Sequence, residues 1–161
     1  MSQWIDWFQR SPLPPVLYRL HTGYLRLRRP TTLGARTLTL DASGAVLLVR
    51  HCYRPGWFLP GGGVQKWETV EAAAIRETRE EGGVALEAVD ELFGLYANFT
   101  EHRCDHVALY VGRRWQPAET RSAEIAEAGF FAPDALPADT TEATMRRIDE
   151  FLGRVPRSST W

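Results

Sequence analysis

Residues 59–84 read LPGGGVQKWETVEAAAIRETREEGGV, and this stretch decides the fold. Its second half has the spacing of a helix from about Thr69 to Glu81, stopped by Gly82 and Gly83, because glycine readily takes the left-handed conformation that ends helices. At about 100° per residue, Glu77, Glu80 and Glu81 stand at i, i+3 and i+4 and share one face. Val70, Ala73 and Ala74 project from that same face one to two turns earlier, so the acids sit where the helix presses on a sheet. Clustered, partly desolvated carboxylates repel one another and lose ionisation unless a cation compensates them. All-oxygen donors suit a hard divalent ion, so the helix reads as a platform for Mg²⁺ or Mn²⁺. Before it, Gly61, Gly62 and Gly63 permit dihedrals closed to other residues and let main-chain groups approach a ligand or metal closely.

On the N-terminal side, Ala35 to Leu40, a turn at Asp41 to Gly44, and the apolar run Ala45 to Val49 look like a hairpin. On the C-terminal side, Leu92 to Ala97, Val107 to Val111 and Gly129 to Phe131 read as strands, and Thr141 to Leu152 as a closing amphipathic helix. Strands interleaved with helices imply an α/β sandwich with a mixed sheet. Residues 1–30 stand apart: Arg10, Arg19, Arg26, Arg28 and Arg29 face the single acid Asp6, and the remainder of the chain is net acidic. After the break at Pro12, Pro14 and Pro15, the positions Val16, Leu17, Leu20, Tyr24 and Leu27 recur at helical spacing, with Arg19 and Arg26 on the opposite face. This is a basic amphipathic extension, docked on its own domain or on a second subunit of a homodimer, or able to lie on a membrane surface or bind an acidic partner. The division is therefore an extension at 1–30, a main domain at 31–155 and a tail at 156–161.

The composition narrows the function. A chain of 161 residues, 44% hydrophobic, fits one domain with a real core. A net charge of −1 argues against gripping duplex nucleic acid by its phosphates but leaves small anionic ligands open. Cys52 and Cys104 provide neither a disulfide framework nor a zinc pattern, and two buried thiols fit a reducing cytoplasm. No apolar run approaches the roughly 18 residues that span a bilayer, and no secretory leader is legible, so a cytoplasmic protein is expected.

The stretch resembles the Nudix box, in which G, five residues, E and seven residues precede R-E-U-x-E-E-x-G-U, with U a bulky aliphatic. Here Gly62, Glu68, Arg76, Glu77, Glu80, Glu81 and Gly83 hold the fixed positions, Val84 holds one aliphatic position and Thr78 departs from the other. Seven fixed residue types at fixed spacing make a chance match remote. The resemblance implies a Nudix α/β/α sandwich and metal-dependent hydrolysis of a diphosphate linkage in a nucleotide-like small molecule. It further implies that Glu77, Glu80 and Glu81 are metal ligands with the Gly61 carbonyl, that a glutamate is the base for the attacking water, and that Glu68 pairs with Arg76 to orient the loop. The glycines Gly61 to Gly63 would line the diphosphate site. Where many relatives carry glutamate and glycine, this chain has Gln65 and Trp67. Glu124 either supplies the later acid that often completes such sites or is a surface acid.

Rival readings on the same fold are a binding-only regulatory module, whose mark is loss of the box glutamates, and an isopentenyl-diphosphate-type isomerase, which needs a reactive cysteine. A proline about fifteen residues after the box, the cue for ADP-ribose cleavage, is replaced by Phe99 and Thr100. Trp57, Trp67, Tyr96 and Phe99 either stack on a base or belong to the core. Residues 101–106, with His102, Cys104 and His106, read as a turn before a strand rather than a transition-metal site.

Overall fold

The computed structural model describes residues 31–99, 104–120 and 122–161. The amphipathic extension at 1–30 and His102 lie outside the described residues. The chain runs β1 (Thr31–Thr39), β2 (Val46–His51), β3 (Trp57–Phe58), β4 (Gly61–Gly63), α1 (Val70–Gly82), β5 (Val84–Leu86), β6 (Glu91–Asn98), β7 (Cys104–Gly112), β8 (Trp115–Pro117), β9 (Ile125–Phe131) and α2 (Glu142–Phe151). One sheet has the order β4-β1-β7-β6; β1 and β7 are parallel and the other pairs antiparallel, which makes it mixed. A second sheet, β3-β2-β9, is antiparallel, and β5 and β8 form a small ribbon. With α1 against β1 and β4, and Ile148 of α2 in the main core, this is an α/β/α sandwich.

β1 and β2 differ from the hairpin expected of them. The turn forms, with the Asp41 carboxylate accepting from the Ser43 and Ala45 amides at 2.8 and 2.9 Å, but a single bridge, Leu40 to Val46, joins the strands before they enter different sheets. The reason is burial on both faces: Val46 and Leu48 enter the main core, while Leu47 lies so close to α1 that a Cβ on Gly82 would stand 2.6 Å from it. A strand with no solvated face serves between layers better than on the edge of a ribbon.

Helix α1 begins at Thr69, whose hydroxyl accepts from the Ala72 amide at 3.1 Å, and ends at Gly83 with φ 65°. Buried Ala73 and Ala74 let it sit close on Ala35 of β1. The aliphatic position held by Thr78 is explained here. Thr39 donates to Thr37 at 3.0 Å, the Thr37 and Thr78 hydroxyls lie 2.6 Å apart, and Thr78 donates to the Ala74 carbonyl at 2.8 Å, a polar chain satisfied inside the contact. On the far face, fully buried Arg147 donates to Glu150 at 2.7 Å and to the Thr160 carbonyl at 2.8 Å, and the Tyr96 hydroxyl donates to Glu150 at 3.1 Å. The 156–161 segment lies along β6: the Ala97 amide donates to Ser159 and the Trp161 amide to Ala97, both at 2.9 Å, and the Trp161 ring packs on the main core.

Candidate active site

The site forms where α1 meets β4. Antiparallel pairing of Gly61 to Gly63 with β1 lays the glycines under the helix. No side chain fits at the first two: a Cβ on Gly61, at φ 148°, would stand 2.2 Å from the Ala35 carbonyl oxygen, and one on Gly62 would stand 2.5 Å from a Glu77 carboxylate oxygen. The glycines therefore admit the carboxylates to the main chain. Glu81 is buried and accepts from the Gly61 amide at 2.8 Å, and Glu77 lies against Gly62.

Burial raises the Glu77 carboxyl above its usual range, and it raises Glu81 to about 7 although the Gly61 amide and the Arg36 charge pull it down. Glu80 is placed differently. Its side chain is 42% exposed, and its carboxylate lies 3.4 Å from Arg76. Arg76 grips Glu68 in a fork, Nε at 2.7 Å and an Nη at 2.9 Å, and also reaches Glu77 at 2.7 Å and the Gly63 carbonyl at 3.3 Å. That fork ties the loop to the helix and holds the Glu68 carboxyl below its usual range. Among the described residues no three His, Cys, Asp or Glu side chains are already arranged as a metal cage. The donors nevertheless fit a hard cation: Glu77 and Glu81 are adjacent carboxylates that burial disfavours in their charged form, set against the glycine main chain.

Glu124 is exposed at the start of β9, its carbonyl accepting from the Cys52 amide at 2.8 Å and its carboxylate hydrogen-bonded to the Tyr53 side chain. Cys52 is only half buried, unlike the expected buried thiol, and burial still pushes its pKa up. Trp67 is 93% exposed with φ 68°, and the Lys66 ammonium lies 5.1 Å from its ring centre, so this aromatic is not core. Trp57 and Tyr96, by contrast, are buried in the main core.

Sequence reasoning missed two guanidiniums, Arg36 and Arg54, beside the carboxylates, with His51 as a neutral imidazole next to them. Arg36 donates to the Leu59 carbonyl, and burial lowers its pKa to about 10 with Arg54 adding to the shift. Buried His51 is lowered to about 3 by desolvation and by Arg54, whose guanidinium lies 3.1 Å from Nε2 and 3.8 Å above the Phe58 ring centre. Nδ1 of His51 and Nε of Arg54 are buried with no protein partner. The available signals were Arg36 interrupting the strand Ala35 to Leu40, and the basic residues of Arg50-His51-Cys52-Tyr53-Arg54 before Pro55-Gly56.

The family model of the NUDIX domain matches residues 30–151. A "MutT-like protein" of Streptomyces ambofaciens is 34% identical over 117 residues, covering 70% of this chain and 72% of the relative. A Bacillus subtilis (strain 168) protein named as an 8-oxo-dGTP diphosphatase is 31% identical over 122 residues, covering 74% and 79%. The crystal structure of a MutT NUDIX hydrolase from Burkholderia pseudomallei superposes with TM-score 0.64 at 27% identity, covering 74% of this chain and 97% of that one.

Proposed function

The chain belongs to the NUDIX family and is a Nudix hydrolase of nucleotide pyrophosphate linkages, and from that premise we propose that it uses Mg²⁺ or Mn²⁺ to split a nucleoside triphosphate into a monophosphate and pyrophosphate. The observation that carries this reading is Glu81, a carboxylate raised to about 7 in a buried position against the Gly61 amide, with Glu77 beside it. The triphosphate substrate is taken from the name of the Bacillus subtilis relative, and the Arg36 and Arg54 guanidiniums support an anionic ligand.

Glu77 and Glu81 would hold the cation with the Gly61 carbonyl, and Glu80 would join them by leaving Arg76. When bound, the cation supplies charge neutralisation on the phosphoryl oxygens and lowers the pKa of attacking water. Glu81, held against the Gly61 amide beside Glu77, is the candidate to take the proton of the attacking water. Arg76 and Glu68 keep the glycine loop in register with the helix, so the carboxylates would face one phosphate chain. Arg54 lies over the Phe58 ring and against His51, adding positive charge beside the site. Glu124 with Tyr53 forms the outer rim of the same cleft and is proposed as an auxiliary acid. Burial keeps the Cys52 thiol protonated, which disfavours isomerase chemistry through a cysteine.

The test is a panel of canonical and oxidised nucleoside triphosphates, dinucleoside polyphosphates, nucleotide sugars and ADP-ribose with Mg²⁺, read by chromatography of the products. Monophosphate with pyrophosphate from a triphosphate is the expected result. Tight nucleotide binding without any product would make the chain a binding module, and cleavage of ADP-ribose or nucleotide sugars alone would overturn the substrate class.

A further inference from the structure

The sheet face that carries α1 is only partly covered. Register places Leu33, Ala35 and Thr37 of β1 beside His106, Ala108 and Tyr110 of β7, and these beside Ala97, Leu95 and Leu92 of β6. Ala35 lies beneath the helix and Tyr110 at its margin, where Val70 ends the cover. Beyond that margin Leu92, Leu95 and Phe99 are more than half exposed, and Leu33 is exposed at the near edge. A contiguous apolar strip on a sheet face asks for an occupant.

We propose that residues 16–27 of the same chain cover this strip as an amphipathic helix laid beside α1. Three observations select that occupant. First, the strip begins where the segment must end: residue 30 leads directly into Thr31, two residues from Leu33. Second, the lengths agree. Twelve residues of helix span about 18 Å, and the strip from Leu33 to the level of Leu92 covers about four strand steps, roughly 13 Å. Residues 28–30 reach about 10 Å, the distance from β1 across to β6. Third, the chemistry is complementary: Val16, Leu17, Leu20, Tyr24 and Leu27 form one apolar stripe, while Arg19 and Arg26 point away from it in a segment that is basic overall. The acid Glu71, beside Tyr110, borders the strip. A covalently tethered segment also competes at an effective concentration of order millimolar, which a second copy of the chain does not reach at ordinary protein concentration.

Hydrogen exchange of the full chain at a concentration where sedimentation shows a monomer tests this. Amides 16–27 are expected to exchange at least about tenfold more slowly than in an unstructured peptide, and to lose that protection in Leu92→Ser/Leu95→Ser. Free exchange in the wild type, or equal protection in the variant, overturns the proposal; protection that appears only as dimer forms assigns the face to a second copy and overturns it equally. A second variant, Leu17→Ser/Leu20→Ser, leaves residues 31–161 untouched and should raise binding of an apolar dye several-fold. Unchanged dye binding there contradicts the proposal even if the face variant fails to fold.

Discussion

Trp67 holds a left-handed backbone that its side chain does nothing to repay, since it is 93% exposed with φ 68° and meets only the Lys66 ammonium. The position wants glycine, and a matched pair of variants, Trp67→Ala and Trp67→Gly, isolates the backbone from the lost ring. Both variants remove the same cation–π contact, but alanine keeps its Cβ against the following carbonyl, a left-handed cost of about 1–2 kcal/mol. Glycine escapes that cost and gives back about 0.4–1 kcal/mol in unfolded-chain entropy. The glycine variant should therefore be the more stable of the two by roughly 0.5–1 kcal/mol, a Tm higher by about 1–4 °C for a domain of this size. Thermal melts by circular dichroism, with urea unfolding as a second measure, read the difference. If Trp67→Ala melts at or above Trp67→Gly, the loop does not impose the left-handed conformation and the strain argument fails.

Other outcomes follow from the same geometry. Arg76→Ala removes the fork to Glu68 and the charge between Glu77 and Glu80, so it should cost about 2 kcal/mol and lower kcat/KM; an unchanged Tm with wild-type kinetics removes its positioning role. Thr78→Val strands the buried Thr37 hydroxyl and should cost about 1–2 kcal/mol, although valine is the type the motif favours; a neutral or stabilising result in urea unfolding refutes the polar chain. In EDTA, Glu81 has a folded pKa of about 7 against 4.5 for the free group, so its contribution is full below pH 4.5 and lost as pH rises through 7. Glu81→Gln should gain on the wild type by about 3 kcal/mol across that window, and parallel stability curves for the two proteins from pH 4.5 to 8 would contradict the buried charge.

The α/β character and α1 were legible because the information was local: strands interleaved with helices, a helical period and a Gly stop. The short strands at Trp57–Phe58, Gly61–Gly63, Val84–Leu86 and Trp115–Pro117 were not, because two or three residues hold no period and their pairing is dictated by distant partners. The hairpin expectation failed for a related reason: alternation and a turn fix a bend between strands, but only burial on both faces of Val46 to Val49 decides that β2 enters a second sheet. At the site, periodicity put three glutamates on one face, yet the distinction between buried Glu81 and Arg76-bound Glu80 depends on how the glycine strand threads beneath the helix. The Arg36, His51 and Arg54 group was opaque because its members come from β1, β2 and the loop after it, and only tertiary structure brings them together.

The central claim, that the buried glutamates of α1 hold a divalent cation and carry the hydrolysis, is tested most directly by kcat on the best substrate of the panel with Mg²⁺ titrated. Wild type, Glu77→Gln and Glu81→Gln are compared, with melts to confirm folding. Glutamine keeps the size and deletes the charge, so kcat should fall by about two to four orders of magnitude and the Mg²⁺ midpoint should rise. Folded variants with wild-type turnover and an unchanged Mg²⁺ midpoint, or full wild-type turnover in EDTA, would contradict the account.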